Sequence, residues 1–194
     1  MYTLLTTLLA LSTTTIYDIK QPSSYDEIYA EAIFTCENRD YVNVNTDIIH
    51  RLIAIEKKHN VPPSLRGMLL AAACYESGYS SKAEGDHKFS KKKKAKAVGM
   101  FQMWKWWEKF YKIDRRDPYQ SANAWLKHIK RQLKSVRREC KFKSKKRLWR
   151  AAWVKAMRAP KRKGNRCHEK VKHYRVLKKW RKNIIDARKM REKC

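Results

Sequence analysis

The sequence predicts an all-α fold, or one that is nearly so. Apolar residues recur every three or four positions in several segments, as they do on the buried face of an amphipathic helix. Prolines, glycines and helix-capping side chains separate these segments. The chain has no alternating runs long enough to indicate a sheet, and no internal repeat. With 194 residues, it is long enough to bury one sizeable core with extensions.

The N-terminal part precedes the predicted domain. Residues 1–16 include an apolar segment, Met1 to Leu11, that is too short to span a bilayer as a helix. It resembles the apolar region of a secretory signal, with the small residues Ala10 and Ser12 where cleavage would occur, although the usual positive flank is missing. The alternative is a frayed segment or one packed against a partner. We interpret residues 17–44 as a polar, mildly acidic leader.

Capping residues and prolines mark the ends of the first two helices of the predicted domain, which covers residues 45–160. The first helix begins at Asp47, with Asn45 or Thr46 as its cap. Two prolines then break the chain and open the second helix, Leu65 to Tyr75, because proline is tolerated in a first turn.

Further helices follow a polar loop over residues 79–98. Residues 99–111 are expected to be helical and are rich in aromatic side chains. Asp117 and Pro118 start a long amphipathic helix, since an acceptor at the cap and proline at the first position both favour a helix start. Ser144 caps the next helix. Residues 161–194 are predicted to form a basic helical extension of the domain.

The net charge of +29 is unevenly distributed along the chain. Residues 1–40 carry −4, residues 41–90 carry +1, and residues 91–194 carry +32. This excess in the C-terminal half predicts a polyanionic partner there, namely anionic wall polymer, membrane lipid or nucleic acid. No recognised nucleic-acid motif accompanies the charge, so its sign alone does not choose among these partners.

The five cysteines show no Cys-x-x-Cys spacing, so we expect no zinc site and no other metal or organic cofactor. Because five is odd, at least one cysteine lies outside any set of intramolecular disulfides. Cys74 lies in an apolar stretch, and we interpret it as a buried thiol. If the chain is exported, Cys140, Cys167 and Cys194 could supply one bridge.

Glu76 is the strongest candidate for a catalytic residue. It follows the apolar stretch Leu65 to Ala73, and Gly78 ends the helix directly afterwards. A carboxyl group there has apolar helix behind it and an exposed turn in front, where apolar surroundings favour the protonated acid and a substrate can reach it. The alternative is an ordinary solvated glutamate at a helix end.

Two motifs together resemble the lysozyme-like lytic transglycosylase (SLT domain) family. They are Glu76-Ser77-Gly78 and, after a loop, Gly99-Met100-Phe101-Gln102. Asp117-Pro118 with its long helix is similar to the family's next element, and Ala151 to Ala156 stands where the family has Ala-Ala-Tyr-Asn-Ala-Gly. The resemblance covers residues 45–180. It implies a helical domain that cleaves the β-1,4 bond between N-acetylmuramic acid and N-acetylglucosamine in peptidoglycan.

Carried over position by position, the resemblance implies that Glu76 is the general acid and then the base. The residues it implies for substrate binding are Ser77, Gly99, Met100, Gln102, Trp153 and Tyr174. Ser77 as a helix-end cap and Gln102 as a solvated side chain are the structural alternatives. Trp153 replaces the family's tyrosine, so the contact of that hydroxyl to the acid would have to come from the indole N–H, from Tyr174 or from another residue.

The resemblance leaves two versions of the reaction and one rival function. A transglycosylase needs no second carboxylate, because the substrate's N-acetyl group attacks the anomeric carbon. Glu84 or Asp86 could instead position a water, as in a goose-type lysozyme. The rival is a polyanion- or nucleic-acid-binding protein on a lysozyme-like scaffold. The enzyme would be exported to the periplasm, cell envelope or medium, or associated with a phage particle.

Overall fold

The computed structural model describes residues 22–40, 45–89, 94–157, 167 and 172–193. These parts of the chain are mostly helical and include one small sheet, which confirms the expectation of a nearly all-α fold. The described helices are α1 (Tyr25–Asp40), α2 (Thr46–Lys58), α3 (Met68–Ser77), α4 (Trp106–Tyr111), α5 (Pro118–Glu139), α6 (Lys145–Met157) and α7 (Lys172–Arg191). The strands are β1 (Glu84–Gly85), β2 (Ala97–Val98) and β3 (Met103–Trp104).

Helix α3 lies at the centre, in contact with α1, α2 and α7. Every residue from Met68 to Cys74 is buried, which explains why this stretch has no polar face. The helix starts against Glu56 of α2, a fully buried carboxyl that accepts the backbone N–H of Gly67 (2.8 Å) and of Leu69 (2.6 Å). The first turn of a helix has N–H groups without intrahelical partners, so Glu56 satisfies donors that burial would otherwise leave unpaired.

Local signals placed several helix ends correctly. Asn45 caps α2 by accepting the N–H of Asp47 (2.9 Å), and Asp117 caps α5 by accepting the N–H groups of Tyr119 and Gln120. The predicted helix from Ser144 is α6. Helices α5 and α6 pack against each other, with Trp125 and Trp153 in edge-to-face contact at their interface.

The aromatic segment after the loop differs from its prediction as one helix over residues 99–111. Gly99 to Gln102 form a turn, β3 follows, and only Trp106–Tyr111 is helical. Positive φ angles at Gly99 (78°) and Gln102 (47°) explain the difference, because the left-handed conformation interrupts a right-handed helix. The three strands form an antiparallel sheet in the order β1-β2-β3.

Residues 17–44 were expected to be a polar leader, but the described part of this segment is helix α1, which belongs to the core. Ile28, Ala32 and Cys36 are buried at intervals of four residues and face α3 and α7. Apolar residues also lie on the exposed side, among them Phe34 (67% exposed), which weakens the helical pattern in the sequence. Cys36 forms a disulfide with Cys74, so the interpretation of Cys74 as a free thiol was wrong.

Helix α7, predicted as part of a basic extension, is also a structural element of the domain. Its buried residues contact α3 and α1. Arg181 donates to the carbonyl oxygens of Pro63 and Arg66 before α3, and Arg188 forms an ion pair with Glu27 of α1. Part of the acidic N-terminal charge therefore pairs with part of the basic C-terminal charge inside the fold.

Other predictions concern residues that lie partly or wholly outside the described ranges. The predicted signal segment, residues 1–16, falls there, as do the ends expected for α6 at Pro160 and Gly164. Cys194 also falls there, whereas Cys140 and Cys167 form the bridge that the C-terminal cysteines were expected to supply.

None of the helices in the described ranges combines the length and the apolar character needed to cross a membrane.

Candidate active site

Glu76 lies in the last turn of α3, where the buried helix meets the surface. Its side chain is 29% exposed, in contrast to the buried residues before Cys74. Gly78 ends the helix in the left-handed conformation (φ 59°) and donates its N–H to the carbonyl of Cys74 (3.1 Å). Only glycine adopts this conformation without a steric penalty, so Gly78 turns the chain away directly after the carboxyl group.

The partner of Glu76 is His173, a residue that the sequence interpretation did not select. Nε2 of His173 is hydrogen-bonded to Oε1 of Glu76, across 97 positions of the chain. The imidazole side chain is 5% exposed. A signal for it was present in the sequence: His173, Leu177, Trp180 and Ile184 share the buried face of α7 at helical spacing. A histidine on such a stripe faces the core rather than the solvent.

Ser77 connects α3 to the turn formed by residues 99–102. Its hydroxyl donates to the carbonyl oxygen of Met100 (2.8 Å) and lies 3.3 Å from that of Ala73. Ser77 was expected to bind substrate or to cap the helix end. In the structure its hydroxyl is engaged with backbone, so it positions the Met100 turn beside Glu76.

The Gly99–Gln102 turn is fixed by a hydrogen bond within it and by close contacts with neighbouring segments. The side-chain amide of Gln102 donates to the carbonyl oxygen of Gly99 (3.0 Å), and its oxygen occupies the space beside Gly85 of β1. A side chain at Gly99 would collide with the carbonyl oxygen of Arg115. Met100 is fully buried. Of these three predicted substrate contacts, Gly99 and Met100 are buried and only Gln102 is partly exposed.

Trp153 and Tyr174 lie near the pair without contacting the carboxyl group through a hydrogen bond. Trp153 is fully buried, its indole N–H has no hydrogen-bond partner in the described chain, and its ring stacks on His173 (5.8 Å between centroids). Tyr174 lies under the guanidinium of Arg150 (4.2 Å). The hydrogen bond to the Glu76 carboxyl group that was expected from Trp153 or Tyr174 is therefore made by His173, and Trp153 stacks on the His173 ring.

Exposed aromatic side chains lie on the segment that follows the turn. Trp104 and Trp106 are 38% and 37% exposed, while Trp107 is buried. Phe89 packs near Trp104 and Phe110 near Trp106. Flat apolar rings that remain accessible are suited to stacking against sugar rings.

Glu84 and Asp86, the candidates for positioning a hydrolytic water, are both engaged. Glu84 forms an ion pair with Arg116, and Asp86 accepts the indole N–H of Trp104 (2.8 Å). A cavity of about 400 Å³ beside the sheet is lined by Glu84 with other charged residues, among them Glu108 and Arg115, but not by Glu76.

Histidine, cysteine and acidic side chains of the described ranges form no cluster of three or more that could hold a metal ion. No protein-family profile, no curated protein and no solved structure matches this chain.

Proposed function

We propose that this protein is a peptidoglycan-cleaving enzyme of the lytic transglycosylase type, with Glu76 as its catalytic acid and base. The observation that carries the proposal is the environment of the Glu76 carboxyl group. Oε1 is held by His173, while Oε2 has no partner among the described residues. The same helix end is joined through Ser77 to the Met100 turn. An accessible oxygen on an otherwise fixed carboxyl group is suited to transferring a proton to a bound substrate.

The reaction requires one carboxyl group acting twice. Glu76 donates a proton to the glycosidic oxygen, and the bond between that oxygen and the anomeric carbon breaks. The carbonyl oxygen of the substrate's own 2-acetamido group bonds to the anomeric carbon, which gives an oxazolinium intermediate. Glu76, now ionised, accepts the proton of the muramic 6-hydroxyl as that oxygen attacks the anomeric carbon, and the bond from this carbon to the acetamido oxygen breaks, which restores the neutral acetamido group. The product is a 1,6-anhydro sugar, and Glu76 is protonated again.

Glu84 and Asp86 are the residues on which the hydrolytic alternative depends. A carboxylate that activates water needs a free oxygen directed at the substrate. Glu84 is paired with Arg116, and Asp86 is held by Trp104. In each of them one carboxylate oxygen is engaged and the other has no partner among the described residues, as in Glu76, so the products of the reaction distinguish the two versions.

The disulfides support an extracytoplasmic location for the enzyme. Cys36–Cys74 joins α1 to α3, and Cys140–Cys167 joins the end of α5 to a cysteine that lies between α6 and α7 in the sequence. Structural disulfides persist in oxidising compartments and are rare in the reducing cytosol. Export to the periplasm, cell envelope or medium remains our proposal, together with association with a phage particle as the other option.

The decisive experiment is mass spectrometry of the soluble products released from purified peptidoglycan. Anhydro-muropeptides from the wild type, and none from Glu76→Gln, are expected. Glu192→Gln, an exposed glutamate at the end of α7, is the matched control and should retain full activity. Reducing-end products that vanish in Glu84→Gln or Asp86→Asn would move the assignment to a lysozyme. No products from the wild type would refute both versions.

The charge of +29 favours polyanion binding as a second candidate function. Helix α7 presents Lys178, Lys179 and Lys182 to solvent. Removing residues 161–194 would not test this surface cleanly, because α7 contributes buried residues to the core. Replacing the three lysines by glutamine keeps the helix and lowers the charge by three. If this surface tethers the protein to anionic polymer, retention on cell walls at low salt should fall, and salt should weaken binding of the wild type more steeply.

A triple glutamine variant at another basic site tests whether retention depends on the α7 lysines or only on the total charge. Lys141, Lys143 and Lys145, which are exposed from the end of α5 to the first residue of α6, provide the matched control. Equal losses of retention in both variants would indicate that binding depends on the overall positive charge and not on the α7 surface. Binding of DNA with no effect on wall material would favour the nucleic-acid alternative.

A further inference from the structure

We propose that His173 is the positioning residue for Glu76: its Nε2–H donates to Oε1, so that Oε2 is the oxygen that carries and returns the catalytic proton. This inference rests on the proposed function and names a residue outside the motifs that indicated it. The geometry consists of one hydrogen bond between a buried imidazole and a partly exposed carboxyl group.

The imidazole is held between two aromatic rings. Trp153 of α6 stacks on one face, with 19° between the ring planes, and Tyr75 of α3 makes an edge contact at 5.1 Å between centroids. These contacts come from two different helices and restrict rotation of the ring. A positioning residue must itself be fixed, because a loosely held donor would not define the orientation of its partner.

Side chains of α7 anchor this helix to the segment that precedes α3. Arg181 donates to the carbonyl oxygens of Pro63 and Arg66, which precede α3. Leu177 packs beside Gly67, where a side chain would also collide with Ile28 of α1. The helix carrying the imidazole and the helix carrying the carboxyl group are therefore fixed to each other near the start of α3 as well as at Glu76.

The environment of the ring favours the tautomer with the proton on Nε2. Nδ1 of His173 is buried and has no hydrogen-bond partner in the described chain. A proton on Nδ1 would leave a buried donor unpaired, which is rarer in proteins than an unpaired acceptor. With the proton on Nε2, the imidazole is a donor to Oε1, and the acid proton of Glu76 is left to Oε2.

This arrangement suits both states of the carboxyl group. When Glu76 is protonated on Oε2, Oε1 is its carbonyl oxygen and accepts from His173. When Glu76 has given up its proton, the same hydrogen bond becomes charge-assisted and stronger. The imidazole therefore stabilises the carboxylate that forms as the glycosidic bond breaks, and its own proton stays in place throughout.

Two substitutions separate positioning from packing. His173→Gln places an amide N–H near the position of Nε2, whereas His173→Leu fills similar space without a donor. We expect kcat of the leucine variant to fall by about 10- to 100-fold with little change in KM, since a hydrogen bond to a charged group is lost mainly in the transition state. Glutamine should restore most of the activity.

The pH–rate profile provides a readout that packing would not change. Without its donor the carboxylate is less stable, so the alkaline limb of the leucine variant should move to higher pH, while that of the glutamine variant stays near the wild type. His50→Leu is the control, because His50 is exposed on α2 and stacks on Tyr29 of α1. It should leave activity unchanged. Circular dichroism establishes that each variant is folded.

Nitrogen-15 NMR of the imidazoles tests the pair without activity. We expect the His173 ring to carry its proton on Nε2 and its Nε2 shift to change in Glu76→Gln. Wild-type rates and pH profiles in both His173 variants would overturn the positioning role and leave the proposed function standing. An inactive wild type would overturn the proposed function and this role with it, and the spectra would still show whether the hydrogen bond exists. If the leucine variant misfolds, the glutamine variant and the NMR spectra test the inference. A His173 ring that carries its proton on Nδ1 would overturn it.

Discussion

Cys36 and Cys74 form a disulfide that ties helix α1 to helix α3, two residues before Glu76. The bridge lies within the buried core, since both cysteines are almost inaccessible. It joins a segment that the sequence indicated only as a polar leader to the helix that carries the candidate acid. The position of Glu76 therefore depends on an element outside the predicted domain.

Removal of this bridge should destabilise the protein substantially. The two cysteines are separated by 38 residues, and closing a loop of that size in the unfolded chain is worth about 4 kcal/mol in the chain-entropy model. Urea unfolding of a Cys36→Ser, Cys74→Ala double variant measures the loss. The matched pair is Cys140 and Cys167, which closes a loop of 27 residues. Similar stability losses but a larger loss of activity in the first variant are expected. Equal activity in both would contradict a special role near the site.

Ser77→Ala tests whether the hydroxyl binds sugar or holds the turn. The structure engages it with the carbonyl oxygen of Met100, so we expect a stability loss of about 1 kcal/mol and a fall in kcat as the turn loosens. Ser77→Thr keeps a hydroxyl and is the conservative control. Thermal unfolding and steady-state kinetics are the measurements. A rise in KM alone, with unchanged stability, would show instead that Ser77 contacts the substrate.

The ion pair between Glu27 and Arg188 should make stability depend on pH in the acid range. The hydrogen bond from Arg188 lowers the pKa of Glu27 below its ordinary 4.5, and burial opposes this only in part. A lowered pKa means that the unfolded state takes up a proton first, so the stabilisation is present above pH 4.5 and is lost as the pH falls through the folded-state pKa. Glu27→Gln should cost about 1–3 kcal/mol at neutral pH and progressively less toward acid pH. A double-mutant cycle with Arg188→Met isolates the pair, and a coupling that does not change with pH would refute this explanation.

Glu56 should contribute a pH dependence of the opposite sign. Burial raises its pKa from 4.5 to about 7, although the N–H groups of Leu69 and Gly67 oppose the shift. The folded state then retains a proton that the unfolded state releases, so this contribution is full below pH 4.5 and is lost as the pH rises to about 7. Glu56→Gln cannot titrate. The free energy of unfolding of the wild type, relative to that of the variant, should therefore fall between these pH values. A constant difference would show that Glu56 is ionised throughout.

Some elements could be predicted because their signals are local. Asn45, Asp117 and Gly78 mark helix ends through hydrogen bonds or backbone conformations that involve neighbours two to five residues away. The turn at Gly99 could not be placed in the same way. Its close approach to the Arg115 carbonyl, and the left-handed conformation of Gln102, depend on segments brought together by folding.

By itself the sequence determined the largely helical class of the protein, the order of its main helices and the place of Glu76 at the end of an apolar one. These follow from periodicity and capping, which act over a few residues. Only the tertiary structure decided that His173 contacts Glu76, that Cys36 bridges to Cys74 and that Glu27 pairs with Arg188. These pairs are 97, 38 and 161 positions apart. Such contacts arise from the packing of α1 and α7 against α3, and no local pattern specifies which distant residue the packing will bring to a given side chain.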